Sequence, residues 1–204
     1  MIKVGLINYG LGNIRSMIGA LNYMGFDYVY SSEFKELDSC NVIILPGVGA
    51  FSMGMTNLKQ NEIDIYLRNH LRNRPLIGIC LGMQLLFSIG YEFETTKGLG
   101  LIEGEVVKFK SDSGLRIPNI GWDKITNHNF NYLENEKFYF VHSFNVKPKD
   151  KSVISSESTF GREIFVSSVQ KENIYGFQFH PEKSGHTGIS FLKNTIIKSL
   201  KSYG

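Results

Sequence analysis

The sequence predicts an α/β fold: a central, mostly parallel sheet flanked by helices, then a second half rich in antiparallel strands. Three observations predict it. The N-terminal half alternates short apolar strands with segments of helical period, the order that builds a parallel sheet with helices on both faces. Residues 42–45 are all apolar, as a central parallel strand covered on both sides should be. After about Gly98 the chain changes to shorter runs joined by polar turns, which read as largely antiparallel strands.

Residues 2–7 are the first strand. Asn8-Tyr9-Gly10-Leu11-Gly12-Asn13 is a glycine-rich turn, and residues 14–24 a helix with Ile14, Met17, Ile18 and Leu21 on one face. This is not a dinucleotide fingerprint. Arg15 stands where the third glycine is needed, and Tyr28-Val29-Tyr30 runs into Ser31 and Ser32 rather than an acid. Strand 42–45 ends in Pro46-Gly47-Val48-Gly49-Ala50-Phe51, and residues 61–73 read as helix. Leu76, Ile77 and Ile79 form the next strand, and residues 81–87 are good helix formers. Strands are expected at 103–109, 117–125, 138–146, 163–169 and 174–179. A closing helix over 189–202 carries lysines in its last turns, where the helix dipole favours them. No repeat, low-complexity tract or linker divides the chain, so residues 1–204 read as a single domain.

Charge and cysteine usage exclude several classes. The net charge is +3 and the lysines are scattered, too little to argue for nucleic acid or an anionic membrane. The densest group, residues 147–151, contains Pro148 and Asp150 and reads as a solvated loop. Two cysteines do not make a disulfide framework, and Cys40, before an apolar strand, reads as buried filler. The first residues lack the regions of a signal peptide, and no apolar run is long enough for a bilayer. The expected compartment is a reducing cytoplasm.

The chemistry centres on Gly78-Ile79-Cys80-Leu81-Gly82. It matches Gly-x-Cys-x-Gly, a nucleophile elbow with sulfur in place of the serine oxygen. Such a turn admits only small side chains two residues either side of the nucleophile. It pushes the sulfur out at the carboxyl end of the strand, against the N-terminus of a helix whose dipole favours thiolate. The alternative is an inert buried cysteine. A thiolate nucleophile needs a base and a group that orients the base. Phe179-His180-Pro181-Glu182-Lys183 supplies both: a two-residue spacing at a strand end can place His180 and Glu182 on one side, with Glu182 holding the imidazole tautomer. The plain alternative is a His-Pro turn with a surface acid. The glycines of Gly47-Val48-Gly49 let main-chain amides approach a ligand. The N–H of Leu81 is the expected oxyanion donor after the nucleophile, and that of Val48, beside Gly49, the second. Each such donor is worth roughly 3 kcal/mol of barrier.

Gly-Ile-Cys-Leu-Gly-Met-Gln and His-Pro-Glu, in the order Cys80, His180, Glu182, resemble the class I (triad-type) glutamine amidotransferases. More of the chain is similar to one branch, the glutaminase subunits of imidazole glycerol phosphate synthase. The similar segments are Tyr9 to Ser16, Pro46 to Phe51, Leu101 to Gly104, Ile117 to Trp122, Tyr139 to Phe144 and His180 to Ser184. The resemblance implies the flavodoxin-like class I amidotransferase fold, no cofactor and no metal. It implies that Cys80 attacks the side-chain amide of L-glutamine, that His180 passes the proton to ammonia, and that Glu182 orients His180. It places Gln84, Glu92, Ser143 and Phe144 around the amino-acid part of glutamine. Gln84 also stands one helical turn after Cys80, while Glu92 alone would pass for a surface acid. The implied partner is a (β/α)₈ cyclase subunit, which uses the ammonia to make imidazole glycerol phosphate and an aminoimidazole carboxamide ribotide. Asn13, Trp122, Tyr139 and Lys183 match positions facing it. The branch usually has His where Asn119 stands and Asn where Asp123 stands. Those departures leave room for a paralogue that supplies ammonia for amidating bacterial surface sugars. A redox-sensing protein of the same fold is the alternative outside enzymes. Within the resemblance, the Val48 N–H is expected to be misaligned when the chain stands alone and to turn inward with the partner.

Overall fold

The computed structural model describes residues 2–70, 74–110, 116–126 and 136–201. Its first half is β1 (Lys3–Ile7), α1 (Ile14–Met24), β2 (Asp27–Ser31), α2 (Phe34–Asp38), β3 (Val42–Leu45), α3 (Phe51–Gln60), α4 (Ile63–His70), β4 (Leu76–Ile79) and α5 (Leu81–Leu85). Then come β5 (Phe87–Gly90), β6 (Thr96–Lys97), β7 (Ile102–Lys108), β8 (Asn119–Lys124), β9 (Lys137–His142), β10 (Phe144–Pro148), β11 (Ile154–Phe160), β12 (Glu163–Lys171), β13 (Ile174–Phe177) and α6 (Gly185–Lys201). The main sheet runs β11-β12-β13-β4-β3-β1-β2. Its β13-β4-β3-β1-β2 part is parallel, and β11, β12 and β13 pair antiparallel. A four-stranded sheet, β10-β7-β5-β6, and the hairpin-like pair β8-β9 complete it.

Strand alternation divides the core between the two faces of the main sheet. Val42 and Ile44 of β3 pack in one cluster with Met17 and Leu21 of α1 and Phe191, Leu192 and Ile196 of α6. Ile43 and Leu45 pack in the other with Phe51, Met55 and Leu58 of α3 and Leu67 of α4. Burying each such side chain contributes about 1.5–3 kcal/mol. This pins the carboxyl ends of β3 and β4, where the Pro46–Phe51 loop and Cys80 emerge. No helix among the described residues is long and apolar enough to cross a membrane.

Several expected boundaries move. The helix expected over 61–73 is α4, which starts at Ile63, and an unexpected helix, α3, precedes it across a turn with Glu62 at φ 55°; residues 71–73 lie outside the described ones. Phe51, Met55 and Leu58 form an earlier buried stripe, and the turn lets Ile63 and Leu67 reach the same core. The helix expected over 81–87 stops at Leu85, because Phe87 pairs with β7. An unbroken apolar run does not tell a buried helix from a buried strand. The strand expected over 138–146 breaks at Ser143: β9 pairs with β8, and β10 with β7 in a different sheet. The last strand ends at Phe177 rather than 179, since the His180 N–H bonds to Tyr139 O of β9 at 2.9 Å. The closing helix starts at Gly185, and its expected end at 202 lies outside the described residues. Elements α2, α3, β5, β6 and β11 were not expected. Cys40 is buried, its thiol bonding to Glu36 O at 3.5 Å.

Candidate active site

The junction between β4 and α5 holds Cys80 at φ 53°, ψ −110°. Such a backbone costs on the order of 1–3 kcal/mol in a residue with a side chain, so its surroundings must hold it. They do so by close contact. A Cβ on Gly78 would stand 2.7 Å from Gly82 O, and one on Gly82 would overlap Leu45 O of β3. The Cys80 N–H is held by Phe177 O at 2.7 Å. The opposing loop is tethered by Tyr9, whose buried hydroxyl donates to Pro46 O at 2.6 Å. A side chain on Gly47 would meet that hydroxyl and the backbone of Gly82, so the loop lies directly against the elbow.

His180 follows β13 and enters a 3-10 turn, Pro181–Lys183, with Pro181 in its first turn. The turn, not a continued strand, brings Glu182 back: His180 Nδ1 and Glu182 Oε1 are 2.8 Å apart, and both side chains are nearly wholly buried. Glu182 is therefore not a surface acid. Burial disfavours charge on His180. The Cys80 sulfur and then the Glu182 carboxylate outweigh it, raising the imidazole to about 10. Its Nε2 is buried without a well-formed hydrogen bond, so that nitrogen is free to work on the sulfur.

A cavity of about 570 Å³ opens on Cys80. Val48, Gly49, Leu81, Gln84, Glu92, Ser143 and Phe144, all singled out from sequence, line it. Gly49 adopts φ 111°, a conformation that suits glycine. Both N–H groups of Gln84 Nε2 are engaged, to Phe144 O and to Gln178 Oε1, each at 3.1 Å. Gln84 can therefore offer a ligand only its carbonyl oxygen, an acceptor suited to an ammonium group. Glu92 Oε2 accepts from the Phe51 N–H at the start of α3 at 2.8 Å, which fixes its carboxylate at the cavity wall.

The four expected partner-facing residues are less tightly grouped. Trp122 is 50 % exposed, so it is no core residue. Its ring meets Tyr139 edge-on at 6.0 Å, and Lys183 Nζ lies 5.9 Å from the Tyr139 ring. Lys183 also lines the cavity, so this face adjoins its mouth. Asn13, before α1, donates to Ser16 Oγ at 2.8 Å. Sequence reasoning missed three residues of the site. Gln178 contacts the sulfur, Tyr9 tethers the loop, and His142 lines the cavity. Burial holds His142 down to about 4, hence neutral, with the His180 charge adding to the effect against its bond to Phe144 O. Tyr9 and His142 lie inside segments already notable in sequence, but nothing local distinguishes them there.

The sequence model of the Glutamine amidotransferase class-I family matches residues 6–199. The chain belongs to that family. Among curated class-I amidotransferase relatives, "Imidazole glycerol phosphate synthase subunit HisH" of Aquifex aeolicus (strain VF5) is 40 % identical, covering 98 % of this chain and 99 % of that protein. "Imidazole glycerol phosphate synthase subunit HisH 1" of Campylobacter jejuni (strain RM1221) is 41 % identical over 95 % of this chain and 98 % of its own. A solved structure of PurLQS from Thermotoga maritima superposes with a TM-score of 0.65 at 21 % identity, covering 99 % of this chain and 98 % of that one. At that identity it speaks for the class-I amidotransferase fold alone.

Proposed function

We infer that the chain is the glutaminase subunit of imidazole glycerol phosphate synthase, acting as one amidotransferase domain in the cytoplasm. It hydrolyses L-glutamine and passes ammonia to the cyclase subunit in histidine biosynthesis. The single observation that carries this reading is the buried His180–Glu182 pair at 2.8 Å, set behind a strained cysteine that faces a cavity. Relatives about 40 % identical over nearly the whole chain support the choice of synthase.

Cys80 Sγ attacks the side-chain amide carbon of glutamine while its proton passes to His180 Nε2. The N–H groups of Leu81 and Val48 receive the developing oxyanion. His180 returns the proton to the departing ammonia, and water then hydrolyses the thioester to glutamate. Glu182 steadies the imidazolium between those steps. The Gln84 carbonyl and the Glu92 carboxylate suit the substrate's ammonium, and Ser143 and Phe144 line the same cavity. Trp122, Tyr139, Lys183 and Asn13 face the cyclase.

In the reconstituted synthase, Cys80→Ala should abolish synthesis from glutamine and leave synthesis from free ammonia intact. Retained use of glutamine would refute the reading. One observation favours a second partner. The two departures near Trp122 bond to each other, the buried Asn119 donating through Nδ2 to Asp123 Oδ2 at 3.0 Å, a pairing that replaces the usual His and Asn. Failure to bind the histidine-pathway cyclase, with binding to a sugar-amidating synthase, would select that alternative. A redox sensor would have no use for the buried His180–Glu182 pair.

A further inference from the structure

The sulfur of Cys80 has neighbours that favour opposite protonation states. Val141 O, 3.8 Å away, can only accept and so favours S–H. A thiolate at this site, 5 % exposed, needs donors to replace water. Gln178 Nε2 lies 3.7 Å from the sulfur, on a side chain with no exposed surface.

The direction of the Gln178 amide is dictated from a distance. A backbone carbonyl can only accept, so Phe144 O forces the Gln84 amide to turn its nitrogen inward. Gln84 Nε2 then occupies Gln178 Oε1 with its second N–H at 3.1 Å. With its oxygen so engaged, Gln178 must present N–H to the sulfur. His142 Nδ1, also bonded to Phe144 O at 2.8 Å, pins the carbonyl at the origin of the line.

We propose that Gln178 is a further catalytic group, whose carboxamide N–H stabilises the Cys80 thiolate and is aimed by the line Phe144 O, Gln84, Gln178. The proton leaves sulfur for His180 Nε2, and Gln178 neither gains nor loses one. It acts twice: when the thiol gives up its proton, and when sulfur leaves the thioester. Because hydrogen bonds in a chain polarise one another, an ammonium at the Gln84 carbonyl strengthens the donor at the far end. Recognition of the amino acid and activation of the nucleophile are thereby joined through two side chains.

The mechanism rests on the glutaminase reading, but its test does not require turnover. Gln178→Met keeps length and removes the donor. The titratable groups around the sulfur are His180, backed by Glu182, and Tyr9, with His142, Glu92 and Lys183 in the lining of the same cavity; all are left in place. Alkylation of Cys80 by iodoacetamide, read by mass spectrometry on its own peptide, should slow about tenfold at pH 7, with the pH profile displaced upward. In the reconstituted synthase, glutamine-dependent kcat should fall about 10- to 100-fold and KM change less than about threefold. An alkylation profile coinciding with wild type, in a variant with unchanged melting and partner binding, overturns the proposal. Should Gln178→Met not fold, wild type serves: the Gln178 side-chain amide resonances should move with pH in step with Cys80 alkylation. Resonances that stay put as the cysteine ionises overturn it equally. If wild type shows no glutamine turnover with any partner, the glutaminase reading fails, while alkylation still decides the role of Gln178.

Discussion

Glu182→Gln isolates what a buried carboxylate does for the imidazole. The substitution keeps the shape of the side chain and removes its charge, 2.8 Å from His180 Nδ1. At that separation, attraction between carboxylate and imidazolium is about 6 kcal/mol for an effective dielectric constant of about 20. It favours the state in which His180 holds the thiol proton, so removing it depletes the attacking thiolate–imidazolium pair rather than weakening substrate binding. That sets a ceiling of about 10⁴ in rate. Dehydration of the pair offsets part of it, leaving an expected loss of about 10²- to 10⁴-fold in glutamine-dependent kcat. The assay is the reconstituted synthase, run with glutamine and, in parallel, with ammonium salt. A kcat within about threefold of wild type would refute the reasoning. So would equal loss in both reactions, which would mean lost fold or assembly. Stability supplies a second readout. His180 is raised from 6.5 to about 10, so its contribution is fully present below pH 6.5 and lost as pH rises toward 10. The difference in unfolding free energy between wild type and Glu182→Gln should therefore be larger at about pH 6 than at about pH 9.5.

Three further outcomes follow from other parts of the molecule. Gly82→Ala places a methyl group into Leu45 O and should cost more than about 3 kcal/mol, seen as a lowered Tm; a Tm within about 2 °C of wild type would contradict the packing of the elbow. Trp122→Ala should raise the Kd for the cyclase about tenfold or more by calorimetry without altering the Tm of the lone chain, and unchanged affinity would remove Trp122 from the interface. His142 is lowered from 6.5 to about 4, so the unfolded chain binds the proton first. Its contribution is present above pH 6.5 and lost toward pH 4. Urea unfolding of wild type should lose up to about 3 kcal/mol more across that window than His142→Phe, and parallel curves would show that His142 takes its proton freely in the fold.

What was legible in sequence was what local geometry controls. The elbow can be read because both glycines stand within two residues of Cys80; Gly82 itself crowds Gly78, although the atom that crowds Gly82, Leu45 O, comes from β3. Glu182 can be paired with His180 because Pro181 starts a turn that closes over one residue, although the expected strand geometry was not the one adopted. The parallel sheet shows in the apolar run of β3, whose alternate residues feed both faces of the core. Where apolar runs meet, period alone fails. It did not part α5 from β5 or β9 from β10, because the partners that divide them come from β7 and β8.

By itself, the sequence determined the kind of nucleophile, its turn and the base beside an acid, since bonded neighbours and steric size dictate each of these. Only the tertiary structure decided how the sulfur is surrounded. Gln178 stands 98 positions from Cys80 and 94 from Gln84, and Phe144 O is 60 positions from Gln84. A donor that far along the chain meets its acceptor only after β13 has paired with β4 and the break at Ser143 has carried β10 away from β9. The direction of each amide is then set by the one beside it, back to a main-chain carbonyl that can only accept.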